Sequence, residues 1–153
     1  MKGSCQCGNV RYEIPDNYIA LVACYCTECQ KASSGIGTYS MLLPSDAFQL
    51  ISGQLKSWER TSTVGTRNKT HFCPDCGNRI YNLNPDAPAI IKLKAGTLEQ
   101  AARLVPDAHV WLKSAPAWIM IPEDALTYET QPSIEEGLQD LQQKRQAYAC
   151  YQE

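Results

Sequence analysis

Seven of the chain's eight cysteines fall in three short clusters, and their spacing is typical of metal ligands. The first cluster has two thiols one residue apart, the second has three thiols within six residues, and the third is a Cys-X-X-Cys pair followed by glycine. Their members are Cys5 and Cys7; Cys24, Cys26 and Cys29; and Cys73 and Cys76. Glycine after a cysteine pair permits a tight turn in which amide N–H groups point at the sulfurs. We therefore expect these thiols to bind metal.

The first and third clusters together supply four ligands, the number that a structural zinc site requires. We expect Cys5, Cys7, Cys73 and Cys76 to enclose one zinc ion. Four thiolates leave no position for a substrate, so this four-thiol cluster is predicted to hold the fold and nothing else.

The second cluster, Cys24, Cys26 and Cys29, predicts a different kind of zinc site. Three protein ligands with an open fourth position are typical of a catalytic zinc. A histidine, His71 or His109, could instead close this three-thiol cluster and make it a second structural site. A disulfide framework and a thioredoxin-type redox pair are the other interpretations of such cysteines. Cys150 lies apart from the clusters and is expected to be a free thiol on a tail.

The bulk composition predicts a globular protein of the cytoplasm. Hydrophobic residues make up 44% of the chain and charged residues 20%, which is ordinary for a folded domain. The N-terminal Met-Lys-Gly-Ser-Cys has no apolar signal region, and no apolar run approaches a membrane-spanning length. The formal charge of -2 argues against a nucleic-acid binder. We expect neither membrane nor nucleic acid as a partner, while a homo-oligomer remains open.

The elements that must position these thiols are expected to be short antiparallel strands. Alternating or apolar runs between turn residues predict strands near residues 9–14, 18–24, 39–43, 48–51, 55–60, 70–72, 77–83 and 90–95. A capping-box pattern at Thr97 predicts a short helix to Leu104, and a second at Ser133 predicts a helix over residues 135–147. We therefore expect a mainly β zinc domain over residues 1–130 and a C-terminal helical extension over 131–153.

Taken together, the three clusters resemble those of the glutathione-dependent formaldehyde-activating enzyme family, whose relatives include centromere protein V. The similarity continues in residues 95–98, in Pro106, His109 and Val110, and in Trp118, and it covers roughly residues 3–128. The resemblance implies a zinc-bearing β-tent of antiparallel sheets with one structural and one catalytic zinc ion. It also implies a carbon–sulfur lyase that condenses glutathione, or a related thiol, with formaldehyde to the S-hydroxymethyl adduct.

Two positions beside the three-thiol cluster depart from the family pattern. The family often has His where this chain has Tyr25, and Arg where it has Gln30, so both positions bear on the identity of the substrate. Coordination to the open zinc would deprotonate an incoming thiol, which could then attack formaldehyde. The alternative is that the zinc polarises the formaldehyde oxygen.

We expect Lys31, ahead of Arg67, Lys69 and Arg79, to bind a carboxylate of glutathione. We expect Tyr25 to donate a hydrogen bond to a zinc-bound group, with an aromatic side chain packed in its strand as the alternative. Trp111 and Trp118 are expected to pack in the core, with the lining of a pocket as the alternative. His109 is either an acid–base group or a buried structural residue. The alternative to an enzyme is a zinc-stabilised binding or scaffold module without catalysis.

Overall fold

The computed structural model of the chain describes residues 1–150, except the side chains of residues 145 and 147–150. The described chain is mainly β, as predicted, with short strands and two α-helices. In chain order the strands are β1 (Lys2–Ser4), β2 (Arg11–Glu13), β3 (Ala20–Cys24), β4 (Thr38–Pro44), β5 (Gln49–Ser52), β6 (Lys56–Thr61), β7 (Arg67–Phe72), β8 (Arg79–Asn84), β9 (Ala87–Lys94), β10 (Ala108–Val110) and β11 (Leu126–Tyr128). The helices are α1 (Thr27–Ser33) and α2 (Ile134–Cys150).

The chain divides into two compact units that alternate along the sequence. The first contains residues 1–21 and 39–105, and the second contains residues 22–38 and the residues from 106 onward. The predicted boundary near residue 130 stays a prediction. No helix in the described part of the chain is long and apolar enough to cross a membrane.

The first unit contains antiparallel strands in the orders β1–β2–β5 and β4–β9–β8–β7–β6. Its core is a continuous cluster of buried side chains that includes Val10, Met41 and Leu93, each fully buried. Phe48 lies between Tyr12 and Tyr81, with ring centroids 5.0 Å apart in both pairs. Because Cys5 and Cys73 belong to the same buried cluster, the four-thiol site is anchored in this core.

The second unit departs from the purely antiparallel arrangement that was expected. Strand β10 pairs in parallel with both β3 and β11. Parallel neighbours require a long connection, and the chain returns to β10 more than eighty residues after β3. Helix α2 is attached to β11 by the Tyr128 hydroxyl, which donates to Asp140 Oδ2 at 2.6 Å. The side chain of Leu141 on α2 is buried.

The two capping-box patterns have different outcomes. At Ser133 the prediction is confirmed: the Glu136 N–H donates to Ser133 Oγ at 3.1 Å, and α2 begins at the next residue. At Thr97 the prediction is wrong, since the chain forms the 3-10 turns Ala95–Thr97 and Ala101–Arg103 instead. The reason is that Thr97 Oγ1 lies 2.5 Å from the Tyr12 hydroxyl and donates to the Lys94 carbonyl, so it caps nothing.

Candidate metal centres

The four-thiol cluster is built from two similar turns. Cys5 and Cys73 each begin a turn that is closed by a hydrogen bond from the cysteine N–H to the carbonyl five residues later, at 3.0 Å in both. Each turn contains a glycine with positive φ, +79° at Gly8 and +72° at Gly77, a conformation that other residues adopt at a cost. Both turns are therefore defined by residues that are close together in the sequence.

Side-chain amides hold the two turns against each other. The Gln6 N–H donates to Asn78 Oδ1 at 3.1 Å, and Asn9 Nδ2 donates to Asp75 Oδ2 at 3.0 Å. These two bonds cross between segments that are 72 and 66 residues apart in the chain. They orient the thiols without using any sulfur.

The sulfur atoms of this cluster have the spacing of a tetrahedral metal site. All four lie within 4.8 Å of one another, with 3.4 Å between Cys5 and Cys7 and 3.8 Å between Cys7 and Cys73. Zinc–sulfur bonds of about 2.3 Å in a tetrahedron place the sulfurs about 3.8 Å apart. The donor set therefore fits a zinc ion.

The pKa values of neighbouring thiols in the four-thiol cluster are shifted in opposite directions. Burial raises the pKa of Cys5, but hydrogen bonds from the Val10 N–H and the neighbouring thiols lower it by more. The resulting pKa is about 6. The Asn9 N–H lowers the pKa of Cys7, but the sulfur of Cys5 and the other thiols raise it, to about 12. Hydrogen bonds from the Asn78 and Cys7 N–H groups also lower the pKa of Cys76. Two of the thiols therefore ionise more readily than usual while Cys7 resists, because adjacent negative charges repel. Four thiolates in this space need a cation among them.

The three-thiol cluster lies where β3 ends and α1 begins. Cys24 is the last residue of β3, and Cys26 is the N-cap of α1, where its sulfur accepts the Cys29 N–H at 3.4 Å. The three sulfurs lie within 4.8 Å of one another. The pKa of Cys24 is strongly raised because its thiol hydrogen-bonds to the sulfurs of Cys26 and Cys29. These thiols too would ionise together only around a cation.

No fourth cysteine, histidine, aspartate or glutamate joins this group within the part of the chain that the structure describes. His71, one of the two histidines considered from the sequence, is a β7 residue whose ring stacks on Tyr81 at 4.4 Å. His109, the other, is bound to Tyr25. The three-thiol cluster therefore has the ligand number of an open metal site.

Tyr25, between two of the thiols, is only 2% exposed and faces His109. Its hydroxyl lies 2.8 Å from His109 Nδ1, and the two rings stack at 5.9 Å. The sequence assigned this hydroxyl to a zinc-bound group, whereas here its hydrogen-bond partner is His109.

His109 is 4% exposed, and burial together with the charge of Lys144 lowers its pKa, which favours the neutral imidazole. Its Nε2 is buried and has no hydrogen-bond partner among the described residues.

The lysine predicted to bind substrate is at the protein surface, and the two tryptophans predicted to lie in the core differ in their burial. Lys31 is exposed in the last turn of α1, two residues after Cys29. Trp111 is half-buried, but Trp118 is 69% exposed, so the expectation that Trp118 packs in the core is wrong. The segment around Trp118 has no regular strand or helix to press it against other side chains.

Gln30 is the residue of this centre whose contacts the sequence did not reveal. Its Nε2 donates to the Tyr25 carbonyl and to the Ser114 carbonyl, at 2.8 Å in each case. The only signal in the sequence is its position, directly after Cys29 and at a departure from the family pattern.

Fold and sulfur geometry together define a mainly β protein with two candidate metal centres, one with four thiols and one with three. The family model described as glutathione-dependent formaldehyde-activating enzyme (GFA) matches residues 1–114, and the chain belongs to this family. Its fold is similar to the crystal structure of a Rhodobacter sphaeroides protein, with a TM-score of 0.52 and 19% identity, over 84% of this chain and 99% of that one. A comparison with curated proteins gave no significant match.

Proposed function

We propose that the protein is a zinc-dependent carbon–sulfur lyase that condenses glutathione, or a related thiol, with formaldehyde to the S-hydroxymethyl adduct. One observation carries the proposal: in a GFA-family chain, three sulfurs converge with no fourth side-chain donor among the described residues. A ligand set of this kind leaves room for a substrate atom, whereas the four-thiol set does not.

Cys24, Cys26 and Cys29 would hold the catalytic zinc, and Cys5, Cys7, Cys73 and Cys76 the structural one. When bound, the catalytic ion would lower the pKa of an incoming thiol so that it binds as a thiolate. Three thiolates outweigh the charge of a divalent ion by one unit, so this ligand set suits a soft sulfur ligand better than the activation of water.

The reaction is an addition with no change in oxidation state. The glutathione sulfur forms a bond to the formaldehyde carbon, and the carbonyl π electron pair moves to oxygen. That oxygen gains one proton, which balances the proton lost by the thiol. The protein therefore has to bind the thiol, exclude competing nucleophiles and hold one proton.

His109 is the side chain that we assign to the proton. Its Nδ1 is engaged by Tyr25, and its buried Nε2 has no partner among the described residues. The hydrogen bond to Tyr25, the residue between Cys24 and Cys26, connects His109 to the backbone of the three-thiol cluster. A neutral imidazole with one nitrogen committed offers the other for a hydrogen bond. Tyr25 then positions the ring.

Lys31 is the cation that we assign to a carboxylate of glutathione, because it is exposed in the last turn of α1, two residues after Cys29. We also propose a cytoplasmic location, where glutathione keeps thiols reduced, and a protein that needs no nucleic acid as partner. The helical extension from residue 131 is proposed to lie outside the catalytic domain.

The test is exchange NMR of glutathione with ¹³C-formaldehyde, in the presence of zinc-loaded protein. The wild type should accelerate formation of the adduct, and Cys26→Ser should reduce the rate to that of the uncatalysed reaction. Cys150→Ser, which changes the cysteine apart from the three clusters in the sequence, is the matched control and should behave as wild type. A wild type that carries two zinc ions without accelerating exchange would instead support a binding or scaffold module.

A further inference from the structure

Both amide hydrogens of Gln30 are used to tie the three-thiol cluster to another segment. The Gln30 side chain reaches back over α1 to the carbonyl of Tyr25, the residue between Cys24 and Cys26. The same nitrogen also donates to the carbonyl of Ser114, which is 84 residues away in the chain. Gln30 therefore bridges the thiol-bearing backbone and a distant turn.

The turn that presents Ser114 is itself held in an unusual conformation. Trp111, directly after β10, has φ +64° and ψ +42°, a left-handed conformation that is a genuine outlier for a bulky residue. Its N–H donates to the Thr130 carbonyl at 3.2 Å, and its own carbonyl accepts the Ser114 N–H at 3.0 Å. Such strain persists only where surrounding contacts require it, and it concentrates at functional sites. Here it directs the chain into the 3-10 turn Leu112–Ser114, whose last carbonyl meets Gln30.

Tyr25 is fixed at three points as a result. Its N–H donates to the Val110 carbonyl at 3.1 Å, its carbonyl accepts from Gln30, and its hydroxyl meets His109. These three bonds restrict the backbone that joins Cys24 to Cys26. The spacing of the thiols is therefore controlled from outside the cluster.

We propose that Gln30 is a positioning residue that preorganises the three-thiol cluster for metal binding. It does so by tying the Tyr25 carbonyl to the Ser114 turn, which keeps three sulfurs convergent with one position left for a substrate. This inference rests on the proposed function, since it concerns the same metal site. Groups just outside the ligands of a metal commonly affect its affinity 10- to 100-fold.

Only an uncharged donor of this length performs the task. Gln30→Glu keeps the shape but replaces both N–H donors by a carboxylate, which faces two carbonyl oxygens and adds negative charge beside three thiolates. Gln30→Met keeps the length without any charge and leaves both carbonyls without this donor. Gln139, exposed on α2, offers the matched control Gln139→Glu.

The experiment measures zinc affinity in the full chain by competition with a chromophoric chelator, together with the absorption spectrum of the cobalt-substituted protein. For Gln30→Glu and Gln30→Met, we expect the more weakly held zinc to lose about 10- to 100-fold in affinity. The tightly held zinc should be unchanged, which also reports that the variants fold. The cobalt bands of the three-thiol site should shift, and Gln139→Glu should match wild type in every measurement.

Each outcome decides the inference. If both Gln30 variants bind the second zinc within about 2-fold of wild type, well under the effect expected of such groups, the positioning role is wrong. If wild type binds no second metal ion, the proposed function and this inference both fail. If wild type binds two ions without catalysis while the Gln30 variants lose the second, the inference stands and the lyase does not.

Discussion

Cys73→Ser should destabilise the zinc-loaded protein far more than Cys26→Ser. Cys73 is fully buried, and serine nearly keeps its volume, so the main change is loss of the metal cross-link between the two turns. That cross-link joins sulfurs 66 residues apart. Closing a loop of this length restricts the unfolded chain by an amount worth about 4 kcal/mol, which is comparable to the whole stability of many domains.

The three-thiol cluster closes a much smaller loop, since Cys24 and Cys29 are separated by only five positions. The same chain-entropy relation gives about 2 kcal/mol for a loop of this size. The two substitutions should therefore differ by about 2 kcal/mol, with the larger effect at Cys73.

Urea unfolding of the zinc-loaded variants, followed by circular dichroism, measures this difference. With a slope of about 2 kcal/mol per molar urea, the midpoint should fall by about 2 M for Cys73→Ser and by about 1 M for Cys26→Ser. Cys150→Ser is again the control. Equal decreases of the urea midpoint in the two variants, or a larger decrease for Cys26→Ser, would refute the assignment of a structural role to the four-thiol cluster and a catalytic role to the three-thiol cluster.

Three further predictions concern contacts away from the sulfurs. Burial raises the pKa of Tyr12 from its usual value of about 10 to about 12. The stability that its protonated hydroxyl contributes is therefore complete below about pH 10 and is lost as the pH rises through about 12. Tyr12→Phe should remove this fall in the urea midpoint. Ser133→Ala removes the acceptor for the Glu136 N–H and should cost about 1 kcal/mol in thermal unfolding. Tyr128→Phe removes the hydrogen bond to Asp140 and should cost about 1–3 kcal/mol, with faster amide exchange in α2 as the accompanying sign.

The grouping of the cysteines into two sites could be predicted because a structural zinc ion requires four ligands. Seven clustered thiols divide into four and three, and the structure brings together the same four and the same three. Local turn chemistry adds to this, since Gly8 and Gly77 occur at the positions where the turns need positive φ. These features depend on residues close together in the sequence.

Contacts between distant segments were beyond the reach of the sequence. Gln30 bonds to two backbone carbonyls, which every residue possesses, so no pattern identifies its partners. Helix α1 has only seven residues and none of them buried, and it therefore lacks the apolar periodicity by which helices are recognised. Trp118 was expected in the core because aromatic residues are buried on average, an argument that says nothing about a particular loop.

The parallel pairing of β10 shows the same limit. Its three residues carry no signal for direction, and the expectation of antiparallel sheets came from the abundance of short strands and turns. The register places Val110 opposite Cys24, so β10 runs beside the strand that ends at the first thiol of the three-thiol cluster. The pairing of β10 with β3 could therefore not be predicted from the sequence.

X-ray absorption at the zinc edge tests the central claim most directly. Seven sulfurs over two ions predict two zinc ions per chain with an average of about 3.5 sulfur ligands each and a lighter atom completing the coordination. Excess glutathione should raise the average to about 4, because its thiol takes the remaining position. One zinc ion per chain, or an average of about 4 sulfurs before any thiol is added, would contradict the account.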